Sequence, residues 1–200
     1  MLFYIIRMIF FCAVLAVLIF TERRSHIKNK RLWNVISFAV SAVLTTVFAL
    51  IPVENAFVSF SSSENAYKYN HSADVKLTVN GGQSDFVTGE KNGANVYAII
   101  PKSDGAFKIG MGTDIQRVSQ ISCKSSSVTI YKYKDTDDFY VAVAGADSGE
   151  LNVSDNRGSE FKVLKEYHSS LNEPFYTYFA YVNSLDDGYV LTVDGEPIKV

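Results

Sequence analysis

Hydrophobic positions change their spacing twice along this chain. Residues 8–20, "MIFFCAVLAVLIF", are apolar without interruption, and "LFYII" carries the run back past Arg7 to Leu2. Nineteen helical residues at about 1.5 Å each reach roughly 28 Å, close to the hydrocarbon thickness of a bilayer. Arg7 lies near one end, where its long side chain reaches headgroups at modest cost. A second apolar stretch, "LWNVISFAVSAVLTTVFALI", covers 32–51 and stops at Pro52. The pattern predicts two membrane spans, 2–20 and 32–51, joined by the loop 21–31, "TERRSHIKNKR". Trp33 at one end of the second span suits an interfacial anchor.

Beyond Pro52 the spacing shortens. "SSSENAYKYN", 61–70, predicts a short helix in which Ser61 and Glu64 form a capping box. The period then becomes two. "DVKLTVN" sets Val75, Leu77 and Val79 on one face and Lys76, Thr78 and Asn80 on the other, and "SSVTIYKYK" and "FYVAVA" alternate in the same way. Turn signals recur at "NGG" 80–82, "KNG" 91–93, "SDG" 103–105, "DTDD" 135–138, "DSG" 147–149, "DDG" 186–188 and "DG" 194–195. Strands are expected near 73–79, 84–89, 94–101, 106–111, 127–134, 138–144, 150–153, 159–164, 174–182, 188–193 and 197–200. "TDIQRVSQI", 113–121, reads either as a strand or as a short helix, since Ile115, Val118 and Ile121 are three apart. The expected fold is mainly β: an N-terminal two-helix transmembrane hairpin (1–52), then an antiparallel β-sandwich or barrel-like domain (53–200) with one or two short helices.

Charge sharpens this division. Through Pro52 six Lys or Arg face one acid, Glu22, a balance of +5; from Val53 onward 13 basic residues face 20 acidic ones, a balance of −7. An acidic domain is poorly suited to nucleic acid, which lysine and arginine bind by displacing condensed counterions. The loop supplies Arg23, Arg24, Lys28, Lys30 and Arg31, and short loops rich in such residues stay cytoplasmic. The expected topology is therefore a two-pass plasma-membrane protein, with the N-terminus and the β domain outside and loop 21–31 inside. "TERR" after Phe20 offers no small-residue cleavage pair, which argues against a signal peptide. "VFA" at 47–49 leaves release after the second span open. In lipid, the small and polar stripe Asn34, Ser37, Ser41 and Thr45 on the second helix would pack on Cys12, Ala13 and Ala16 of the first, or on a partner helix.

The segments "IPVENAFVSFSSSENAYKY", "YAIIPKSDGAFKIGMG" and "IYKYKDTDDFYVAVA" resemble stretches of a loosely defined group of small, uncharacterised membrane-anchored proteins of Gram-positive bacteria. The resemblance covers roughly 51–144. It implies a bacterial cell-envelope protein and brings no activity or cofactor with it.

Candidate chemistry is sparse. The two cysteines, Cys12 and Cys123, imply no disulfide framework. Sortases, cysteine transpeptidases on membrane-anchored β-barrels, suggest Cys123, His71 and Arg157 as a catalytic set. However, "SQISCKSSS" lacks the Thr-Leu-x-Thr-Cys context of those enzymes. His26, His71 and His168 have no partner at metal-ligand spacing, and "DTDD" lacks the central glycine and closing acid of a calcium loop, whose twelfth position is Ala146. No metal or cofactor is expected. The aromatic run "FYTYFAY", 175–181, places Phe175, Thr177, Phe179 and Tyr181 on one strand face and Tyr176, Tyr178 and Ala180 on the other. Tyr176 and Tyr178, with Tyr131 and Tyr133 of "YKYK", are the candidate binding residues, a ledge for sugar rings or a partner surface; the bland reading is cross-strand packing. The expected function is a membrane-anchored, non-catalytic extracytoplasmic module. Its expected partners are the lipid bilayer and an envelope protein, peptide or wall polymer. The alternatives are a cysteine enzyme centred on Cys123 and an accessory subunit acting through the helix hairpin.

Overall fold

The computed structural model describes residues 2–24, 29–50, 52–110, 114–123, 126–146, 149–167 and 174–200. His26, Lys28, His168 and most of the "DSG" turn lie outside the described residues. The chain divides into two compact units, Met1–Val58 and Ser59–Val200.

In the first unit, α1 (Leu2–Arg24) and α2 (Lys30–Leu50) pack on each other and are followed by a 3-10 turn, Val53–Ala56. Asn29 caps α2, its Oδ1 accepting from the Leu32 N–H at 3.1 Å. Among the described residues no helix is long and apolar enough to cross a membrane, so the helical hairpin is present but the two spans expected over 2–20 and 32–51 are not supported. The described run from Arg7 to Arg24 carries four charges, and α2 opens on Lys30 and Arg31. The packed face of α2 is Trp33, Ser37, Ser41 and Leu44, so half of the expected polar stripe faces inward while Asn34 and Thr45 are exposed. On α1 the covered positions are Phe11, Val14, Leu15 and Leu18; Cys12, Ala13 and Ala16 are exposed, contrary to the expected small-residue seam. Large side chains at a three- and four-residue repeat bury more area than that seam and win the contact. Arg7 is not left alone: its Nε donates to Glu54 Oε1 at 3.1 Å, and the Glu54 side chain is 4% exposed.

The second unit is built from β-sheets. All its paired strands are antiparallel. The first sheet holds β1 (Asp74–Asn80), β2 (Ser84–Lys91), β3 (Ala94–Ser103) and β4 (Ala106–Phe107) in sequence order. A second contains β5 (Ile115–Ser122), β6 (Ser126–Tyr133), β7 (Asp138–Gly145), β9 (Lys162–Tyr167) and β10 (Pro174–Asn183), ordered 5-6-7-10-9. A third joins β8 (Val153–Asp155), β11 (Val190–Val193) and β12 (Glu196–Lys199), with β11 in the middle. The helix α3 (Ser63–His71) covers the first sheet: Ala66 and Tyr67 pack with Val87, Ala98 and Ile100.

The five-stranded sheet lies between the other two. On one face Tyr140, Ala142, Leu164 and Phe179 meet Val79, Phe86 and Ile99 of the first sheet. On the other, Phe139, Val141, Val143, Tyr176, Tyr178 and Val182 meet Tyr189, Leu191, Val193 and Ile198. Residues 138–143 of β7 are consequently buried at every position rather than at alternate ones. The expected strands are largely present, with three differences. The segment that reads as strand or helix is a strand over Ile115–Ser122; of the strand expected at 106–111, the described residues pair only at 106–107; and the helix is capped by Ser62, whose Oγ accepts from the Asn65 N–H at 3.2 Å. Glu64 does not reach back to close a capping box on Ser61. Its Oε1 accepts from the Thr78 hydroxyl at 3.3 Å instead, tying α3 to β1.

A buried carboxylate fastens the first two sheets. Asp138, 2% exposed, accepts from the Gln83 N–H (2.7 Å) and the Ser84 hydroxyl (2.9 Å) through Oδ2 and from the Tyr181 hydroxyl (3.0 Å) through Oδ1. The Ser84 proton being used, the Tyr140 hydroxyl donates to Ser84 Oγ at 2.8 Å. Burial holds the Tyr140 phenol far above its ordinary range, so it stays a donor. The "NGG" turn makes the approach feasible. A Cβ on Gly81 would overlap the Tyr140 hydroxyl, and one on Gly82 would lie 3.0 Å from both Asp138 Oδ1 and the Tyr181 oxygen.

Two outcomes follow from these bonds. Asp138→Ala orphans three donors, each worth about 1–3 kcal/mol when buried and unpaired, so the denaturation midpoint should fall by the equivalent of about 3–5 kcal/mol; a loss under ~1 kcal/mol would refute the clasp. Arg7→Leu leaves Glu54 buried without its cation and should weaken the helix pair by about 3–5 kcal/mol, while Arg7→Leu with Glu54→Leu restores most of it. Trp33, the chain's single tryptophan, reports that unfolding by fluorescence, and a neutral single variant would contradict the pairing.

Candidate functional site

The sequence-predicted tyrosines are not a ledge. Tyr176 and Tyr178 are 7% and 6% exposed and face the third sheet, where the Tyr178 hydroxyl accepts from the Leu151 N–H at 2.8 Å. Tyr131 and Tyr133 are half-buried against the opposite face. Phe86, fully buried, has the rings of Tyr97, Tyr131, Tyr140 and Phe179 within 6.0 Å of its own centroid. Aromatic side chains occupy both faces of β10 because both faces are covered, which is the cross-strand packing reading. Burial raises the pKa of Tyr131, Tyr133 and Tyr178 alike.

The suggested catalytic set is not assembled either. Cys123 packs half-buried at the β5–β6 turn, on the side of the third sheet. His71 ends α3 on the outer side of the first sheet, its ring beside Tyr67 and its pKa lowered by burial and then by Lys91. Arg157 binds the carbonyls of Asn183 and Ser184 and pairs with Asp186 at 2.7 Å. Since Asn183 pairs with Asp138 while Ser126 pairs with Gly145, Arg157 and Cys123 sit at opposite ends of the five-stranded sheet. Among the described residues no cluster of His, Cys, Asp or Glu could hold a metal ion.

The open chemistry is elsewhere, in a groove of about 470 Å³ between the β1–β2–β3 sheet and β9. Its shape begins with two local irregularities. The β1–β2 register shifts between Val75 and Leu77, so Lys76 occupies a bulge, and its ammonium meets Glu90 Oε2 at 3.1 Å. Asn92 and Gly93 have φ of 53° and 79°, the left-handed pair that a two-residue hairpin requires, and space beside Gly93 is open.

Across the groove, Asn95 Nδ2 donates to Glu166 Oε2 at 2.9 Å, linking β3 to β9. Lys165 stands 5.5 Å from the ring centroids of both Tyr167 and Tyr176. Tyr167 is 67% exposed. Behind these groups lies Tyr97, whose phenol is pushed up by burial and then by the Glu166 carboxylate. Lys76, Glu90, Asn95 and Glu166 meet on the first-sheet side of this concavity, whereas the register with Tyr176 places the side chains of Lys165 and Tyr167 on the other face of β9.

A larger cleft of about 510 Å³ flanks the start of α3, but its cations are engaged. Lys102 pairs with Asp85 at 2.7 Å and donates to the Gly81 carbonyl at 2.6 Å, and Lys162 donates to the Thr78 carbonyl at 2.8 Å. Sequence reasoning missed the smaller groove because its members come from four strands, and β9 lies far along the chain from β1, β2 and β3. The one local signal is "KVLKEY", a strand of six residues in which only Leu164 is buried while an aromatic residue stays exposed. Comparison with protein-family models, with curated proteins and with solved structures finds no match to the chain.

Proposed function

We propose that this protein is a binding module anchored to a membrane through its apolar helix pair, with a β domain that lies outside the cytoplasm and performs no covalent chemistry. The observation that carries the reading is the apolar surface of the helix pair. Met8, Ile9, Val17, Phe20, Leu32, Val35, Phe38 and Val43 are each more than half exposed, on two helices at once. Water tolerates isolated apolar side chains but not a band of them surrounding a helix pair, whereas a bilayer solvates such a band. The charges that end the apolar run of α1, Glu22, Arg23 and Arg24, fall with Lys30 and Arg31 beside one short loop. That is where an interface would take them, and by the positive-inside bias they would remain in the cytoplasm.

The Arg7–Glu54 pair lies toward the other end of the hairpin, away from that basic loop. There it removes the cost of an unpaired cation near the hydrocarbon boundary. The resemblance to small envelope proteins agrees with this reading. The sheet domain supplies a binding surface, and the scattered positions of Cys123, His71 and Arg157 give the enzyme alternative no support. The exposed Asn34 and Thr45 favour a second role for the hairpin as a docking element for another helix. A protein that co-purifies with the native spans, and not with an unrelated anchor of the same orientation, would mark that role.

Orientation is the decisive test. In wall-stripped cells a tag after Val200 should be digested by external protease, and a cysteine introduced by Ser25→Cys should react with an impermeant maleimide only after permeabilisation. Retention of the chain in membranes after alkaline carbonate washing is expected. Release by carbonate, or a protected tag with an externally labelled loop, would overturn the reading.

A further inference from the structure

We propose that the cleft at the start of α3 binds a phosphate group, held between the first turn of that helix and the ammonium groups of Lys102 and Lys162. The inference rests on the reading of the β domain as a binding module and names the ligand class of one of its clefts.

The strand register puts the parts on one side. Val87 and Ile100 pack against α3. Asp85 and Lys102 stand two positions along from them, and Thr78 and Asn80 pair directly with Val87 and Asp85. Residues two apart on a strand, and residues directly opposite on neighbouring strands, share a face, so all four look toward α3. Glu64 of the first turn reaches the same face, its Oε1 accepting from the Thr78 hydroxyl at 3.3 Å. Ser63 stands one turn before Ala66 and Tyr67, both fully buried against that sheet, so its side chain lies on the inward face of the helix. Lys162 arrives from β9 at the outer edge of β1, where it donates to the Thr78 carbonyl at 2.8 Å.

Donors gather there without acceptors. Ser63 is 4% exposed and lines the cleft, yet its hydroxyl has no hydrogen-bond partner among the described residues. Ser62 Oγ satisfies the Asn65 N–H, which leaves the backbone N–H groups of Ser63 and Glu64 as orphan donors of the first turn; none of the described residues accepts from them. The helix dipole adds positive potential at the same end. Engagement orders the two ammonium groups without exhausting them. Each carries three N–H; Lys162 uses one on Thr78, and Lys102 uses two, on Asp85 and the Gly81 carbonyl. Lys76 at the rim is paired with Glu90, and Asp85 with Lys102, so Glu64 is the charge that opposes an anion here. The donors come from three elements, α3, β3 and β9, and a tetrahedral oxyanion meets such a set better than a planar carboxylate does.

The test is a titration of the isotope-labelled full chain in maltoside micelles, followed by amide NMR. The probes are inorganic phosphate, dihexanoyl phosphatidic acid as a soluble lipid headgroup, and acetate as the planar comparator. A phosphate probe should saturate with a Kd below about 10 mM and shift the Ser63 and Glu64 amides. Ser63→Ala should weaken binding about tenfold. The same variant should leave the thermal midpoint of the phosphate-free protein unchanged or raised, because a hydroxyl without a partner adds nothing to the fold and alanine favours the helix; a serine with a structural role would lower it. Glu64→Gln, which removes the opposing charge, should tighten binding about threefold, and Lys162→Gln should weaken it by a similar factor. Preference for the lipid form assigns the phosphate to a headgroup, and equal affinity assigns it to the free ion; both support the site. The proposal fails if neither phosphate probe saturates by about 10 mM, if Ser63→Ala leaves affinity unchanged, if acetate binds as tightly as phosphate, or if the shifted amides lie only elsewhere. Micelle binding does not depend on which side of a membrane the domain occupies, so this result and the orientation result fail separately.

Discussion

The central strands of the five-stranded sheet, β7 and β10, have no solvent face, and the rest of the β domain follows from that constraint. A sheet covered on both sides must be apolar on both sides, so β7 and β10 carry large side chains at successive positions and cannot show the alternation of a half-buried strand. Such a sheet also needs two partners held in register with it. On one side Asp138 provides this, because its carboxylate closes on the turn of the β1–β2 hairpin and on Tyr181 of β10 at the same time. A buried carboxylate is costly to desolvate, and here three donors in good geometry offset that cost. On the other side the joint is apolar, with Tyr189 and Leu191 fully buried against β6, β7 and β10. One joint is directional and the other shape-based, and together they define a unique stacking.

Much of this architecture is legible in the residues. "KNG" at 91–93 and "NGG" at 80–82 mark real hairpins. The alternation in 126–133 places Val128 and Ile130 on one side and Tyr131 and Tyr133 on the other, as found. The misreading of Tyr176 and Tyr178 has a physical source. Alternation reports how many faces of a strand are wet, and an aromatic run on both faces is ambiguous between an exposed ledge and a doubly covered sheet until the third sheet is known. That sheet is made of four-residue and shorter strands from the last part of the chain, too short to announce a layer. Similarly, Ser61 and Ser62 are equivalent to a capping rule, and only the backbone entering α3 selects Ser62.

The site was the least legible part. Lys76 reaches Glu90 through a bulge, which no pattern at period two encodes, and Asn95 meets Glu166 across 71 residues of sequence. What sequence does carry is the division of labour. An apolar, basic segment precedes an acidic, β-rich one, and the structure keeps them as separate compact units. Arg7, awkward in a hydrophobic run, finds its counter-charge 47 residues later in Glu54. The tyrosines that looked functional pack into or against the core, and one that the core leaves open, Tyr167, belongs to a strand in which only Leu164 is buried.

Native-state hydrogen exchange tests the doubly covered sheet most directly. The amides of β7 and β10 within 139–143 and 178–182 should exchange only through global unfolding, with a protection free energy equal to that from denaturant titration. Those of the edge strands β5 and β9 should exchange sooner, through local opening. If the β7 and β10 amides exchanged as readily as the edges, that sheet would have a wet face, and the layered account would be wrong.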